Sequence, residues 1–423
     1  MSRSTVYGFV EEVRNLGNLI FLKVFTKDGY VQVTVKKGES PKEIVGLVAG
    51  LTRQSAIRVT GELKANPAVR VGLEMIPEEL EVVSMAEEPL PLDPSGKTPA
   101  ELETRLNWRS LDLRSSRNRA IFKVQSRIVK AFTDYLTEKD FTQVFTPSLL
   151  GVASEGGADV FELKYFKKNA YLRQDPQLHR DLTVLGGLER IFEIGPSWRA
   201  ELSHTKRHMC EHRVCAVEFA NIKDESDVIA VEEDLVKYTM KKIMSECKTD
   251  LELLGASIEV PKTPFPVLRF QELYEILKKL GKSIPKGEEY DRESEELLGN
   301  YVKKEYGSDF FFVDGFPFSV KPFYVTKFEK DPLWARSVDM IFRGIEISTG
   351  GQREHRYEIL KRQAEEKKLS PRSVDWFIKF FKYGAPTLGG FSIGIERFTM
   401  QLLGIQNVRE VTLFPRTPER LVP

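Results

Sequence analysis

The first 85 residues carry a dense series of short β-strand patterns, and this density is what most constrains the fold. An apolar stretch at 19–25 leads through Asp28-Gly29 into an alternating stretch at 30–35. Asp-Gly between two such stretches indicates a hairpin, because it supplies the residues that tight turns require. About five strands in roughly 80 residues suit a small β-barrel such as the OB-fold. A small barrel without any nucleic-acid role fits the same pattern.

A proline-rich segment separates this region from the rest of the chain. Four prolines lie within residues 87–107, and we predict a semi-rigid linker there because proline fixes φ. The predicted domains are therefore 1–86 and 108–423. In the second domain, apolar residues recur at helical spacing over 116–138, which predicts a helix. A strand at 143–146 is expected to stop at Pro147, strand-like stretches alternate with turns from 160 to 220, and mixed helix and strand patterns follow. The predicted fold class is α+β, because the strands cluster too closely for a doubly wound sheet.

Composition excludes several classes of protein. The net charge is +1, so the composition does not indicate a nucleic-acid partner. No run of 18 apolar residues predicts a membrane helix, and we expect no membrane association. The three cysteines are too few for a disulfide framework, and their spacing does not suit zinc: Cys210, Cys215 and Cys247. We expect a cytoplasmic protein.

A polar loop at 202–210 lies between two predicted strands and carries Lys206, Arg207 and His208. A cationic loop of this kind suits a polyphosphate, since arginine offers a planar fork of donors. A solvated hairpin loop is the alternative that the residues leave open.

Two acidic residues, Asp339 and Glu346, are seven positions apart. On one continuous strand they would face opposite sides, so a bend or two strands must bring them together. Paired carboxylates beside a phosphate site would hold Mg²⁺. Two unrelated surface acids are the alternative.

Glycines at 389–394 precede a predicted helix that begins near Ile395. Such a helix start allows close approach of the backbone and favours anions. Glu396 and Arg397 fill the last positions of what would be a dinucleotide-binding fingerprint, so we reject that interpretation.

In this order and at these separations, the features resemble the class II aminoacyl-tRNA synthetases, and among them the archaeal and eukaryotic aspartyl type. Residues 141–147 resemble motif 1, the element of the dimer interface. The Arg199-Ala200-Glu201 stretch with the 202–210 loop resembles motif 2, and 394–397 resembles motif 3. Four further stretches resemble aspartyl enzymes: 154–157, 165–172, 350–356 and 413–416.

The resemblance implies an OB-fold that binds the anticodon and a catalytic domain with an antiparallel sheet flanked by helices. It also implies a small helical insertion at about 265–308. The substrates would be ATP, L-aspartate and tRNA, with Mg²⁺ as cofactor, and the protein would form a homodimer through motif 1. The 3′-OH of tRNA(Asp) would accept the aspartyl group, and tRNA(Asn) is a further candidate acceptor.

By position, the resemblance also implies roles for individual residues. The residues implied for ATP are Arg199, Glu201, Arg207, His208, His212, Glu346 and Arg397. Arg199, Arg397 and Glu346 would be the catalytic residues among them. The residues implied for the metal are Asp339, Glu346 and Thr349. The residues implied for the amino acid are Glu155, Asp175, Gln177, Arg180, Ala216 and Arg353. In the barrel, Phe21 and Gln32 would stack on and read anticodon bases.

The amino-acid pocket departs from the family at three positions. Asp175 stands where the family has Ser, Arg180 where it has Lys, and Ala216 where it has Asp. In one interpretation a carboxylate has moved from 216 to 175, and Arg180 and Arg353 still present only donors, which favours aspartate. In the other, Asp175 pairs with Arg180 and neutralises it, so that asparagine or another amino acid could enter. We expect the first, because Arg353 and its flanking residues are retained.

Two other functions remain open. A related ligase could pass its adenylate to another acceptor such as ammonia, although it would not need the barrel with Phe21 and Gln32. A nucleic-acid-binding protein with an inactive catalytic domain is the other alternative. The retained Arg199, Arg353 and Arg397 argue against it.

Overall fold

The computed structural model describes residues 2–152, 160–202 and 205–423. The chain forms two compact units, Met1–Arg119 and Ala120–Pro423. The predicted domain and linker limits at 86 and 108 stay a prediction. None of the described helices is both long and apolar enough to cross a membrane.

The first unit contains a closed five-stranded barrel. Its elements are β1 (Ser2–Leu16), β2 (Leu19–Thr26), β3 (Gly29–Lys36), α1 (Lys42–Ala49), β4 (Ala56–Ala65) and β5 (Leu73–Ser84). The strands close in the order β1-β2-β3-β5-β4. Alternate residues of β2 and β3, among them Leu22, Val24 and Val33, are fully buried inside the barrel. The predicted small barrel is confirmed.

The remaining helices are α2 (Leu102–Asn107), α3 (Arg109–Asp112), α4 (Ser116–Glu138), α5 (Gln177–Leu185), α6 (Glu225–Glu246), α7 (Lys248–Leu254), α8 (Phe270–Lys279), α9 (Arg292–Tyr306), α10 (Tyr357–Glu366), α11 (Pro371–Ile378) and α12 (Ile395–Leu403). Short 3-10 helices lie at Phe318–Val320, Lys379–Tyr383 and Val408–Val411.

The remaining strands are β6 (Thr142–Gln143), β7 (Leu149–Leu150), β8 (Glu162–Tyr165), β9 (Lys168–Leu172), β10 (Arg190–Trp198), β11 (Glu211–Ala220), β12 (Val267–Arg269), β13 (Phe310–Asp314), β14 (Ser337–Phe342), β15 (Ile345–Arg353) and β16 (Leu388–Gly394). Eight of them form one sheet in the order β12-β13-β14-β15-β16-β11-β10-β6. The six strands from β13 to β10 form five antiparallel pairs. The largest core packs residues of α4, α6 and α12 against this sheet. The predicted antiparallel sheet with flanking helices is confirmed.

Two local predictions differ from the structure. The strand expected up to Pro147 covers only Thr142–Gln143, with one further bond from the Val144 N–H to the Phe192 carbonyl at 2.9 Å. The region from 160 to 220, expected to be strands and turns, contains α5. The helical pattern is hard to recognise in the sequence, because the buried face of this helix carries the polar residues Gln177, Arg180 and Asp181.

Candidate active site

A polar cavity is bounded by β10, β11, β15, β16, the loop between β10 and β11, and helices α9 and α12. Most of the predicted ATP and metal residues line it, together with one predicted amino-acid residue: Asp175, Arg199, Glu201, Arg207, His208, His212, Glu346, Thr349 and Arg397. Five other predicted residues are buried but are not part of the lining: Gln177, Arg180, Ala216, Asp339 and Arg353. Glu155 lies outside the described residues.

The loop between β10 and β11 is anchored on both sides. The Arg199 N–H donates to the Cys210 carbonyl at 2.9 Å, which extends the ladder past Trp198. Further along, the Val408 N–H donates to the carbonyl of Lys206 at 2.8 Å. The Arg207 guanidinium is ion-paired with Glu295 of α9. The described part of this loop is therefore not the freely solvated hairpin that the sequence left open.

Two histidines of the cavity are neutral near pH 7. Burial, reinforced by Arg199 and Arg397, lowers the pKa of His212 to about 3. Burial also lowers the pKa of His208, and Arg397 acts in the same direction. A neutral ring at 212 can lie against a nucleobase without adding charge to the cavity.

Asp339 and Glu346 lie on adjacent strands, which confirms the inference that one continuous strand could not bring them together. Strands β14 and β15 turn at Arg343-Gly344, both with positive φ. A register shift between Met340 and Ile341 leaves Asp339 opposite Thr349, whose hydroxyl donates to it at 2.5 Å. Burial raises the pKa of Asp339, and Glu346 acts in the same direction.

The glycines of β16 permit a close approach to β11. A Cβ on Gly390 would lie 2.0 Å from the Val217 carbonyl oxygen and 2.4 Å from a Glu218 carboxylate oxygen. Immediately after β16, α12 begins and carries Arg397 into the cavity. Arg397 Nη1 donates to the main-chain carbonyl of Glu346 at 3.1 Å, which ties this helix to β15.

A buried network lies beneath the cavity. Arg353 donates to the two carboxylate oxygens of Glu218 at 3.0 and 3.2 Å. The side-chain oxygen of Gln177 accepts from Arg353 at 3.2 Å and from Arg180 at 3.0 Å, so the two guanidinium groups converge on one acceptor. Burial, with Glu218 in support, raises the pKa of Asp181 well above its ordinary value.

The barrel has a cavity of its own. Phe21 and Gln32 line it with Glu11, Lys23 and Arg70. Phe21 is opposite Thr34, and Gln32 is opposite Lys23, on the paired strands β2 and β3. An aromatic face, an amide and several charged groups in one cavity suit an unpaired nucleobase.

Comparison with protein families gives two matches that together cover most of the chain. The family described as class II tRNA synthetases (D, K and N) matches residues 101–418. The family described as OB-fold nucleic acid binding domain matches residues 4–83, which identifies the barrel as the predicted OB-fold. The chain belongs to the class II tRNA synthetases.

Several relatives of this synthetase have a curated function. It is 43% identical to an aspartate–tRNA(Asp) ligase of Pyrococcus abyssi, over 99% of this chain and 95% of the relative. It is 40% identical to an aspartate–tRNA(Asp/Asn) ligase of Aeropyrum pernix, over 100% and 96%. The structure also resembles an asparaginyl-tRNA synthetase of Pyrococcus horikoshii complexed with asparaginyl-adenylate, with a TM-score of 0.93, 31% identity, and coverage of 100% and 96%.

Two of the three departures in this synthetase's pocket, Asp175 and Arg180, contact each other. An Asp175 carboxylate oxygen lies 2.6 Å from a nitrogen of Arg180, whose side chain is 1% exposed while that of Asp175 is 25% exposed. Arg180 is therefore paired in the free protein, as the second interpretation requires. Glu218 pairs with Arg353 in the same way, so these two arginines and two carboxylates sum to zero charge.

Sequence reasoning gave no role to Glu218 or Glu295. Glu218 follows Ala216 by two positions on β11, so strand alternation places both on one face and could have identified it. Glu295 lies in the acidic stretch that begins α9, where nothing in the sequence separates it from its neighbours.

Proposed function

We propose that this synthetase activates L-aspartate with ATP and transfers the aspartyl group to the 3′-OH of tRNA(Asp). tRNA(Asn) is a second acceptor to be tested. The observation that carries the choice of amino acid is the convergence of Arg180 and Arg353 on the side-chain oxygen of Gln177. Guanidinium groups only donate hydrogen bonds, so the substrate side-chain group that they bind best is a carboxylate. The relatives that are named aspartate–tRNA ligases support the same choice.

Aspartate can enter only if its side-chain carboxylate displaces a resident one. Asp175 is the partner that can move, because its side chain is partly exposed while Arg180 and Glu218 are buried. The substrate would then take the place of Asp175 on Arg180, and Asp175 would become available to the substrate ammonium. The charge of the pocket would stay balanced throughout.

Activation needs positioning and charge stabilisation, with no covalent enzyme intermediate. One oxygen of the substrate α-carboxylate bonds to the α-phosphorus of ATP, the bond to the bridging oxygen breaks, and pyrophosphate leaves. Arg199 and Arg397 line the cavity and would stabilise the charge on the phosphate oxygens. The 3′-OH of tRNA then attacks the carbonyl carbon of the adenylate, and AMP leaves.

The donor set at Asp339, Glu346 and Thr349 fits Mg²⁺. All three offer oxygen, and Glu346 and Thr349 face the cavity. Asp339 is already held by Lys321 at 2.8 Å and by Thr349. It would therefore mainly orient the other two residues and not contact Mg²⁺ itself. Bound Mg²⁺ would neutralise charge on the phosphate oxygens.

Asparagine is the second candidate amino acid, and a specific observation favours it. The ion pair between Asp175 and Arg180 neutralises that guanidinium, and an amide side chain would enter without displacing a carboxylate. The structural likeness to an asparaginyl-tRNA synthetase points the same way.

ATP–pyrophosphate exchange with each of the twenty amino acids, without tRNA, separates these candidates. Exchange with aspartate alone is the expected result. Exchange with asparagine would favour the neutral pocket, and exchange with none would leave the protein without an activation function. Charging of tRNA(Asp) and tRNA(Asn) transcripts then identifies the acceptor.

Replacing Arg353 tests the pocket itself. Arg353→Lys keeps the charge but loses the fork that meets Glu218 and the substrate, so we expect exchange with aspartate to fall by about 100-fold or more. Arg356→Lys is the matched control, because Arg356 is 38% exposed and pairs with Glu354 and Glu329. Equal activity of the two variants would contradict the assignment.

A further inference from the structure

Helix α9 brings an acid into the cavity that the sequence did not single out. Glu295 of α9 lines the cavity and forms an ion pair with Arg207 of the loop between β10 and β11. Both side chains are largely buried, at 9% exposure for Glu295 and 16% for Arg207. A buried pair of this kind fixes geometry more than it adds stability, because both charges have lost water.

Glu295 is held by a rigid support. Helix α9 packs so closely on the turn between β14 and β15 that a Cβ on Gly299 would lie 2.6 Å from the Cα of Gly344. Asp291 caps the helix by accepting from the Ser294 N–H at 3.0 Å. Glu295 therefore stands in the first turn, where the helix dipole favours a negative charge.

Arg207 is fixed at its main chain and at one end of its fork. Its N–H donates to the Thr205 hydroxyl at 3.4 Å, and the neighbouring Lys206 carbonyl is held by Val408. Nη1 meets Glu295, and among the described residues no other carboxylate pairs with Arg207. A guanidinium has five donors in a plane, so one contact with Glu295 leaves others for a second anion.

We propose that Glu295 is a positioning residue for ATP, which holds Arg207 in the orientation that meets the terminal phosphates. This inference rests on the proposed activation of an amino acid by ATP. Arg207 acts on phosphates that leave with pyrophosphate, so Glu295 affects the activation half of the reaction alone. Helix α9 thereby becomes part of the nucleotide site.

The ionisation of Glu295 adds a second readout. Burial raises the pKa of Glu295 to about 7, opposed by Arg207 and Arg397 and reinforced by Glu346. The buried hydroxyl of Tyr290 is a further titratable group near it. As the pH falls below about 7, Glu295 gains a proton and loses its ionic hold on Arg207.

The test uses Glu295→Gln in the full-length protein, with Glu296→Gln as the control. Glu296 is the next residue of α9, is 53% exposed and pairs only with Arg292 in the described structure. We expect Glu295→Gln to raise the KM for ATP and for pyrophosphate about tenfold, which is the weight of one charge-assisted hydrogen bond. Transfer from preformed adenylate to tRNA should be unchanged. The KM for ATP of the unmodified protein should rise between pH 7 and 6, and that of Glu295→Gln should not.

Three outcomes would overturn the proposal: an unchanged KM for ATP, an equal loss in the transfer step, or additive effects of Glu295→Gln and Arg207→Gln. Titration calorimetry with a non-hydrolysable α,β-methylene ATP and Mg²⁺ repeats the comparison without catalysis. Weaker binding of this analogue by Glu295→Gln, but not by Glu296→Gln, supports the proposal even if no amino acid is activated. Failure of this inference and failure of the proposed activation are therefore distinguishable.

Discussion

At the scale of single residues, the central question is the carboxylate at 175. The free protein places it on Arg180, where a substrate carboxylate would have to replace it. Ala216, where the family has the acid, is fully buried on β11 opposite Glu193. One carboxylate, at either position 175 or position 216, keeps the charge of the pocket balanced.

The variants Asp175→Ser and Ala216→Asp should therefore be strongly coupled. Asp175→Ser removes the partly exposed carboxylate that can move away from Arg180. Ala216→Asp adds a carboxylate while Asp175 is still present. We expect each single change to lower aspartate exchange, and the double variant to recover most of it, with a coupling of about 1–3 kcal/mol. Additive losses in a double-mutant cycle would show that the two positions act independently.

The same residues show why the site was only partly predictable. The identity of the ATP and pocket residues could be inferred from motif order, because each motif fixes residue types at set positions. The pairing of Arg180 with Asp175, and of Arg207 with Glu295, depends on which elements pack together and how deeply. Glu295 is 88 residues from Arg207 in the chain, so no local pattern links them.

At the scale of elements, predictability followed the burial pattern. The helix expected at 116–138 has those bounds in α4, because its apolar residues keep the helical period. Helix α5 was missed because its buried face is polar. The hairpin of β14 and β15 was inferred indirectly, since two acids with an odd offset had to share one site.

Helix α6 carries a buried acid, and its effect on the free energy of unfolding should depend on pH. Glu232 is 1% exposed, one of its carboxylate oxygens has no hydrogen-bond partner, and burial raises its pKa to about 8. An unfolded glutamate titrates near 4.3. Between these values the folded state holds a proton that the unfolded state has lost, so the free energy of unfolding falls as pH rises.

Glu232→Gln should remove this dependence. Relative to the unmodified protein, we expect the variant to gain on the order of 2–4 kcal/mol at pH 8 and much less at pH 5. Denaturant unfolding at both pH values measures the difference. Glu246→Gln, at a 41% exposed site on the same helix, is the control. A stability gain that is the same at both pH values would exclude Glu232 as its source.

At the scale of the whole molecule, the two halves of the reaction should be separable. Phe21 lies in the barrel cavity, while the residues proposed for activation all belong to the second unit. Phe21→Ala should cost about 1–3 kcal/mol of base stacking, a loss of 5- to 150-fold in kcat/KM for tRNA. Exchange without tRNA should not change. Tyr7→Ala, at a 63% exposed aromatic residue on β1, is the control. A parallel fall in exchange would assign Phe21 to the stability of the barrel.

The assembly of the molecule is the last level at which the sequence makes a specific prediction. The stretch 141–147 resembles the dimer element of the family, and Phe145 within it is 82% exposed, with Leu149 nearby at 46%. An exposed phenylalanine close to Pro147 suits a contact with a second copy of the chain. In a two-fold dimer, the same contact would form twice, once from each copy.

Phe145→Asp should therefore weaken the homodimer. Burying two phenylalanine side chains is worth about 3–6 kcal/mol, and two buried aspartates would add a desolvation cost, so dissociation should shift by at least two orders of magnitude. Sedimentation over a range of concentrations measures it. Tyr383→Asp changes an 86% exposed aromatic outside this stretch and should leave the dimer intact. If both variants sediment like the unmodified protein, Phe145 does not lie at a two-fold contact, because an aspartate cannot replace a buried phenylalanine there without measurable loss.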